Sequence, residues 1–349
     1  MSETSSHSTT PVSEQIRFAI LGAGGMGALH ASSIAAFPDA AVTWVADVDE
    51  ARAEQLAGTL GARATTSMGK ALAAGDVDAV VIALPTAHHR EATELAAAHG
   101  AQVFCEKPMA RTPDDCQAMI DACATAGVRL MVGHVVRFFD EYATIKRLLD
   151  AGTLGQPGMV RASRLSGPVM AGKAWFADLE QNGGLVCDLM IHELDTLRWY
   201  FGGVARVFAH GLSYTPHQPK RDYAMASLRF HNGATALVEA SWAHADFRTA
   251  IELSGQLGII RHASDTGATL TLERTATDGH ASPVVHRRPL TTNPYQRELR
   301  HFIDGICTGE PFLIGGEDGL AAVTLACAIL ESMRTGRAIL FEPVATPAA

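Results

Sequence analysis

Nowhere does the sequence hold an apolar run approaching the ~20 residues that a membrane-spanning helix needs, and that excludes a membrane partner. The opening stretch MSETSSHSTTPVSEQ lacks both the basic start and the apolar centre of a secretory signal. Residues 1–15 therefore read as a polar, disordered tail. Basic residues are in deficit, 28 Lys and Arg against 37 Asp and Glu, for a net charge of −9. That balance argues against a nucleic-acid partner, which usually meets a basic surface. The six cysteines form no CxxC pair, and no HExxH occurs, so neither a disulfide framework nor a zinc site is signalled. Reduced thiols in a cytoplasmic protein are the simpler reading.

What remains is an ordinary globular composition, 47% apolar and 19% charged over 349 residues. That length favours two domains, because single cores stop growing near ~250–300 residues. From residue 16 to about 137, short Val/Ile/Ala-rich runs alternate with helical patterns. The runs are IRFAILG (16–22), AVTWVAD (41–47), DAVVIALP (78–85), AQVFCEKP (101–108) and VRLMVGH (128–134). Nearly continuous apolar runs suit strands buried on both faces of a parallel sheet, and the alternation predicts a doubly wound α/β domain. Beyond residue 138 the pattern changes. Helices are predicted at 140–151, 184–201, 294–308 and 316–335. Between them, strand-like stretches such as VARVFAHGLS and RTAIELSGQLGIIRH predict an α+β domain with a largely antiparallel, open sheet over 138–345. The Asn-Gly of HNGA at 231–234 marks a hairpin.

The first strand runs straight into Gly22-Ala23-Gly24-Gly25-Met26-Gly27, a GxGxxG loop opening a helix. In that setting the first glycine permits the turn, the second admits a pyrophosphate and the third lets helix and strand pack closely. Asp47 ends the next strand twenty residues after Gly27, where a carboxylate meets the ribose hydroxyls of a dinucleotide. A helix N-cap is its competing role. Asp49 and Glu50 follow with no Lys or Arg directly after Asp47, so NAD is expected over NADP. The reading is a Rossmann domain over 16–137.

Phe104-Cys105-Glu106-Lys107-Pro108 carries an E-K-P motif, and Leu84-Pro85-Thr86-Ala87-His88-His89 places a histidine four residues after a proline. Gly183-Gly184 leads to Asp188 and His192, and a closing segment runs from Gly316 through Ser332. In these motifs, taken in order, the chain resembles the Gfo/Idh/MocA oxidoreductase family over nearly its whole length after the tail. The resemblance implies nicotinamide-dependent oxidation or reduction at a sugar, cyclitol or related polyol carbon. It also implies that Lys107, Asp188 and His192 are catalytic, His192 as general base with Lys107 as its partner. Leu84, Pro85, Thr86, His89, Glu106 and Lys107 are expected to border the cofactor beside the glycine loop and Asp47.

The residue types suit that chemistry. A lysine at the carboxyl end of a parallel strand can stabilise an emerging alkoxide, and histidine titrates near neutrality. Asp188 and His192 stand four apart on a predicted helix, so they share a face; Asp188 is expected to orient the ring or bind a substrate hydroxyl. Glu106 would pair with the lysine or fix part of the cofactor. His134, Arg137 and Trp175 are candidate substrate contacts, with Tyr295 and Arg297 behind them. Asp195 could join Asp188 and His192 as a metal face, but a lysine–histidine pair moves the proton without metal, so no metal is expected. Two other readings stay open, an NAD-dependent glycoside hydrolase with a transient redox cycle and a non-catalytic NAD-sensing protein. The antiparallel sheet offers a face for a homodimer or homotetramer.

Overall fold

The computed structural model describes residues 15–168, 182–213, 222–265, 270–274, 282–286 and 293–342. Trp175 and the polar stretch before residue 15 lie outside them. The first sheet contains β1 (Ile16–Leu21), β2 (Ala40–Ala46), β3 (Arg63–Thr65), β4 (Ala79–Ile82), β5 (Gln102–Glu106) and β6 (Leu130–Gly133). Its spatial order is β3-β2-β1-β4-β5-β6, and every pairing is parallel. Phe18 to Leu21 and Ala79 to Ile82 are all fully buried, because helices cover both faces. That double burial is why these strands read as unbroken apolar runs. Helices α1 (Gly25–Ala35), α2 (Glu50–Leu60), α3 (Met68–Leu72), α4 (His89–Ala98) and α5 (Pro113–Ala126) make the connections. The strand order reverses between β1 and β4, and the crevice beyond their carboxyl ends is where open α/β sheets take ligands. β3, three residues long, has no sequence signal of its own.

A short turn at Val135–Phe138 leads to α6 (Asp140–Asp150) and β7 (Pro157–Leu165). After a π-helical turn at Val186–Met190 come α7 (Ile191–Phe201) and then β8 (Val204–Ser213), β9 (Asp222–Phe230) and β10 (Thr235–Ser241). β11 (Arg248–Gly255), β12 (Gly258–Ala263), β13 (Leu270–Arg274) and β14 (Ser282–His286) follow. The described chain ends with α8 (Pro294–Thr308), α9 (Gly316–Thr335) and β15 (Ile339–Leu340). The second sheet has the order β14-β13-β12-β11-β7-β10-β9-β8-β15. It is antiparallel apart from the parallel β7–β10 pair. The predicted hairpin joins β9 to β10, with Gly233 at φ +92° and the Asn232 side chain accepting from Ala234 N–H at 3.0 Å.

Two features depart from expectation. β7, which sequence patterning leaves unmarked, lies mid-sheet between β11 and β10. Its Pro157, Gly158, Arg161 and Arg164 mask an alternation in which Val160, Ala162 and Arg164 point inward and are buried. The helix expected over 184–201 is also not uniform, since the wider π turn precedes α7.

Both closing helices return to the first sheet. On one face, Leu299, Phe302 and Ile303 of α8 pack with Phe18 and Phe104. On the other, Ala322 and Val323 of α9 join Met109 and Val132, while Leu325, Ala326 and Ile329 of the same helix enter the core of the second sheet. A Cβ on Gly319 would stand 2.8 Å from the Met109 sulfur and 2.9 Å from Val132, so this approach needs glycine. Among the described residues no helix is long and apolar enough to cross a membrane.

Candidate active site

The glycine loop divides its labour. Gly22 has φ +102°, and a Cβ there would lie 2.4 Å from the Ala83 carbonyl oxygen. A Cβ on Gly27 would lie 1.8 Å from the Gly22 oxygen. These two glycines are demanded by the fold itself. Gly24 and Gly25, in contrast, would meet nothing within 4 Å. Gly24 is the N-cap of α1 and supplies no side-chain cap, so backbone N–H groups at this helix start are left for an anion. That open, uncapped cradle fits a dinucleotide pyrophosphate, with Ala23, Gly24, Gly25 and Met26 beside it.

Asp47 is not a helix N-cap. Asp49 caps α2, accepting from Arg52 N–H. Asp47 instead accepts from Ala23 N–H at 2.7 Å and from Asp49 N–H at 2.9 Å, locking the β2 tip to the glycine loop. Each carboxylate oxygen keeps a second lone pair for a ribose hydroxyl.

The E-K-P segment ends β5. Glu106 is 6% exposed, and its partner is a residue that sequence reasoning passed over, His30 of α1, with Nε2–Oε1 2.6 Å. Its other oxygen accepts from the Lys107 main-chain N–H at 3.0 Å, so it holds the lysine's backbone and not the ammonium group. Burial pushes the Glu106 carboxyl up, but His30 and Lys107 outweigh it and hold the group below the usual range. His89 departs from its expected place at the cofactor. It is 1% exposed, with Nδ1 3.0 Å from the Pro108 oxygen and Nε2 2.8 Å from the Leu84 oxygen. With both nitrogens engaged, it braces the Leu84–Pro85 turn against the E-K-P turn. The two carbonyls favour a doubly protonated ring, yet burial dominates and lowers its pKa. Thr86 is buried at the start of the turn that follows Pro85.

Lys107 Nζ donates to the Asp188 main-chain oxygen at 2.6 Å and to its carboxylate Oδ1 at 3.1 Å. Asp188 sits in the π turn, a widened form often found at functional sites, and the lysine satisfies its carbonyl there. Two of the three ammonium donors are thus used, and one is left for a ligand. The expected Asp188–His192 contact is not made: the carboxylate turns to Lys107, and His192 Nδ1 is buried without a partner among the described residues. His192 is partly exposed on a cavity of about 440 Å³, within the range of small-molecule sites. Burial, then the charges of Lys107 and Arg164, hold its pKa well below the usual histidine value. It is therefore neutral at pH 7, the form a base requires. Arg164, also missed from sequence, lines the same cavity. It is held by Glu193, one residue after His192, with Nε 2.9 Å from both carboxylate oxygens.

Arg137, expected as a candidate substrate contact, is held in a structural clamp. It is 4% exposed, binds Asp195 through Nε (2.9 Å) and Nη2 (2.6 Å), Asp318 through Nη2 (2.9 Å) and the Leu313 carbonyl through Nη1 (3.0 Å). Asp195 is thereby drawn away from Asp188 and His192, and among the described residues no cluster is arranged to hold a metal ion. His134 is buried with neither nitrogen partnered among the described residues, and burial lowers its pKa. Tyr295 lines the cavity, whereas Arg297 pairs with Asp140. Trp175 lies outside the described residues.

Two family profiles match the chain: "oxidoreductase family, NAD-binding Rossmann fold" over residues 16–134 and "GFO/IDH/MocA C-terminal domain" over 142–261. The chain belongs to the Gfo/Idh/MocA oxidoreductase family. It is similar to an inositol 2-dehydrogenase of Rhizobium meliloti, 31% identical over 93% of this chain and 98% of that protein. It also resembles a D-apiose dehydrogenase of Rhizobium rhizogenes, 31% identical over 76% of this chain and 79% of the relative. Among solved structures, an oxidoreductase from Agrobacterium radiobacter in complex with NAD+, L-tartaric acid and magnesium superimposes with a TM-score of 0.83. The two are 26% identical, covering 93% of this chain and 98% of that one.

The glycine geometry separates two outcomes. Gly27→Ala forces a clash with the Gly22 carbonyl and is expected to lower the melting temperature of the protein without ligand. Gly24→Ala places its methyl in open space, so it should leave that temperature unchanged and weaken NAD binding at least tenfold by calorimetry. Equal destabilisation by both would refute the assignment.

Proposed function

We propose that this chain oxidises a secondary hydroxyl of a sugar, cyclitol or sugar derivative to a ketone, with NAD as cofactor. The observation that carries this is the meeting of a clamped lysine, Lys107 on Asp188, with the neutral His192 at the carboxyl edge of the first sheet. NAD, when bound, supplies the hydride acceptor at its nicotinamide C4. His192 takes the hydroxyl proton, and the accessible nitrogen for this is Nε2, since Nδ1 is buried. The remaining Lys107 donor binds the reacting oxygen and stabilises negative charge on it. Asp188 fixes the lysine. Asp47 favours NAD, because its carboxylate would repel a 2′-phosphate. The family's dehydrogenases named above favour net oxidation over redox-neutral glycoside hydrolysis.

The outer face of the second sheet supports a homodimer or homotetramer. Met159 of β7, Leu212 of β8, Met225 of β9 and Leu237 of β10 are 42%, 55%, 50% and 40% exposed on neighbouring strands. All six cysteines are free of disulfides, in keeping with the cytoplasm.

Sedimentation should show a dimer or tetramer, shifted toward monomer by Leu237→Glu combined with Met225→Glu; a monomeric parent protein would overturn this assembly. With NAD and a panel of inositols and aldoses, NADH should form at 340 nm, and Lys107→Ala or His192→Ala should each cut kcat/KM by about 10²–10⁴-fold. Glycoside cleavage without NADH would favour hydrolysis instead. The acid limb of kcat/KM reports His192. A depressed pKa keeps the base deprotonated as pH falls through 6.5, so activity should hold there and decline only at distinctly lower pH. A half-maximum at or above pH 6.5 would contradict the neutral-histidine assignment.

A further inference from the structure

The cavity beside His192 is apolar along one side. Val135, Val136, Phe139, Leu189, Phe247 and Ala263 form an apolar wall. Phe139, Tyr142 and His262 continue it as a row of rings, with centroids 6.4 Å and 5.6 Å apart in edge-on pairs. Phe247 stands at the mouth, 59% exposed, with the Arg164 guanidinium 5.7 Å from its ring.

Polar groups also line the space, Glu141, His262 and Tyr295 among them, and three of the others are engaged within the protein. Arg164 is ion-paired with Glu193, which weakens its pull on an anionic substrate. The Thr249 side chain is hydrogen-bonded to Tyr142, and the Ser264 hydroxyl accepts from Thr249 N–H at 2.9 Å. A fully hydroxylated ring pushed against this wall would bury hydroxyls without partners, which costs free energy. A methyl group or a deoxygenated carbon would bury apolar area instead.

We infer that the substrate is a neutral sugar or cyclitol bearing an apolar flank, a deoxy carbon or an O-alkyl substituent, seated against Phe247, Phe139 and Val136 with its polar edge toward His192 and Lys107. This rests on the dehydrogenase reading above and narrows its substrate class. Phe247, exposed at the rim, is the residue that sets the preference for the flank.

The test compares matched pairs: D-glucose with 6-deoxy-D-glucose, D-galactose with 6-deoxy-D-galactose, and myo-inositol with its mono-O-methyl ethers. Two measurements are made on the intact protein with NAD, kcat/KM at 340 nm and the rise in melting temperature on adding each compound. At least one deoxy or methylated member should exceed its parent by about 10–100-fold in kcat/KM, the range a hydrophobic pocket can discriminate. Phe247→Ala should shrink that ratio at least fivefold, chiefly through KM for the apolar-flanked compound, and Phe247→Leu should restore part of it. Parents equal to or better than their partners in every pair would overturn the inference while leaving the dehydrogenase reading intact. Should no compound reduce NAD, that reading fails, and the thermal shifts alone then decide: larger shifts with the deoxy and methylated members uphold the apolar flank, and equal shifts reject it.

Discussion

The architecture turns on one buried cation. Arg137 leaves the end of β6 at the point where the chain crosses from the first sheet to the second, and it is 4% exposed. Its guanidinium reaches Asp195 of α7, Asp318 of α9 and the Leu313 carbonyl. A charge so placed is tolerable only with its partners; removing one partner of such a pair typically costs about 3–5 kcal/mol. The pairing therefore fixes α7 against the crossover, and α7 continues the π turn that carries Asp188. The same cation holds the first turn of α9, whose residues fill both cores.

With that joint set, each charged group near His192 finds its counterpart on a different element. Glu106 of β5 meets His30 of α1, Lys107 meets Asp188 of the π turn, and Arg164 of β7 meets Glu193 of α7. Charges satisfied this way can be buried without being extinguished. Lys107 and Arg164 still bear on His192 and, together with burial, keep its ring unprotonated. The lone carboxylate expected to steer the histidine steers the lysine instead. The histidine owes its protonation state first to burial and then to the cations around it, and its position to the helix that carries it.

How much of this was legible in the sequence follows from what each element must bury. Most of the parallel strands were legible because burial on both faces leaves them few polar positions, short β3 excepted, and the glycine loop because Gly22 and Gly27 allow no Cβ. Lys107, Asp188 and His192 were picked out by motif; in the structure Lys107 and Asp188 touch each other, and His192 lines the cavity without bonding to either. β7 was illegible because one of its inward positions is Arg164, whose charge is cancelled by a residue 29 positions later. The internal partners of His89 and Arg137 were hidden for a related reason. A polar residue beside a ligand-binding edge and a polar residue that welds two loops look alike until their partners are known. His30 carried no signal at all, since a histidine in the second turn of a helix declares nothing about a carboxylate 76 residues away.

The cavity extends the same logic from charges to surfaces. Some of the donors and acceptors that line it are engaged within the protein, as Arg164 is by Glu193, and much of the remaining wall is ring edges and aliphatic carbon. A site of that kind distinguishes ligands less by counting their hydroxyls than by where hydroxyls are missing. It orients a substrate by opposition, one polar edge toward the proton acceptor and one apolar edge toward Phe247. Orientation matters because proton transfer to His192 requires the reacting hydroxyl within hydrogen-bond reach of the ring. The pairing of Arg164 with Glu193 is then as much a part of substrate choice as the charge of Lys107, for an unpaired guanidinium in this wall would draw an anionic group to the place where an apolar one has to sit.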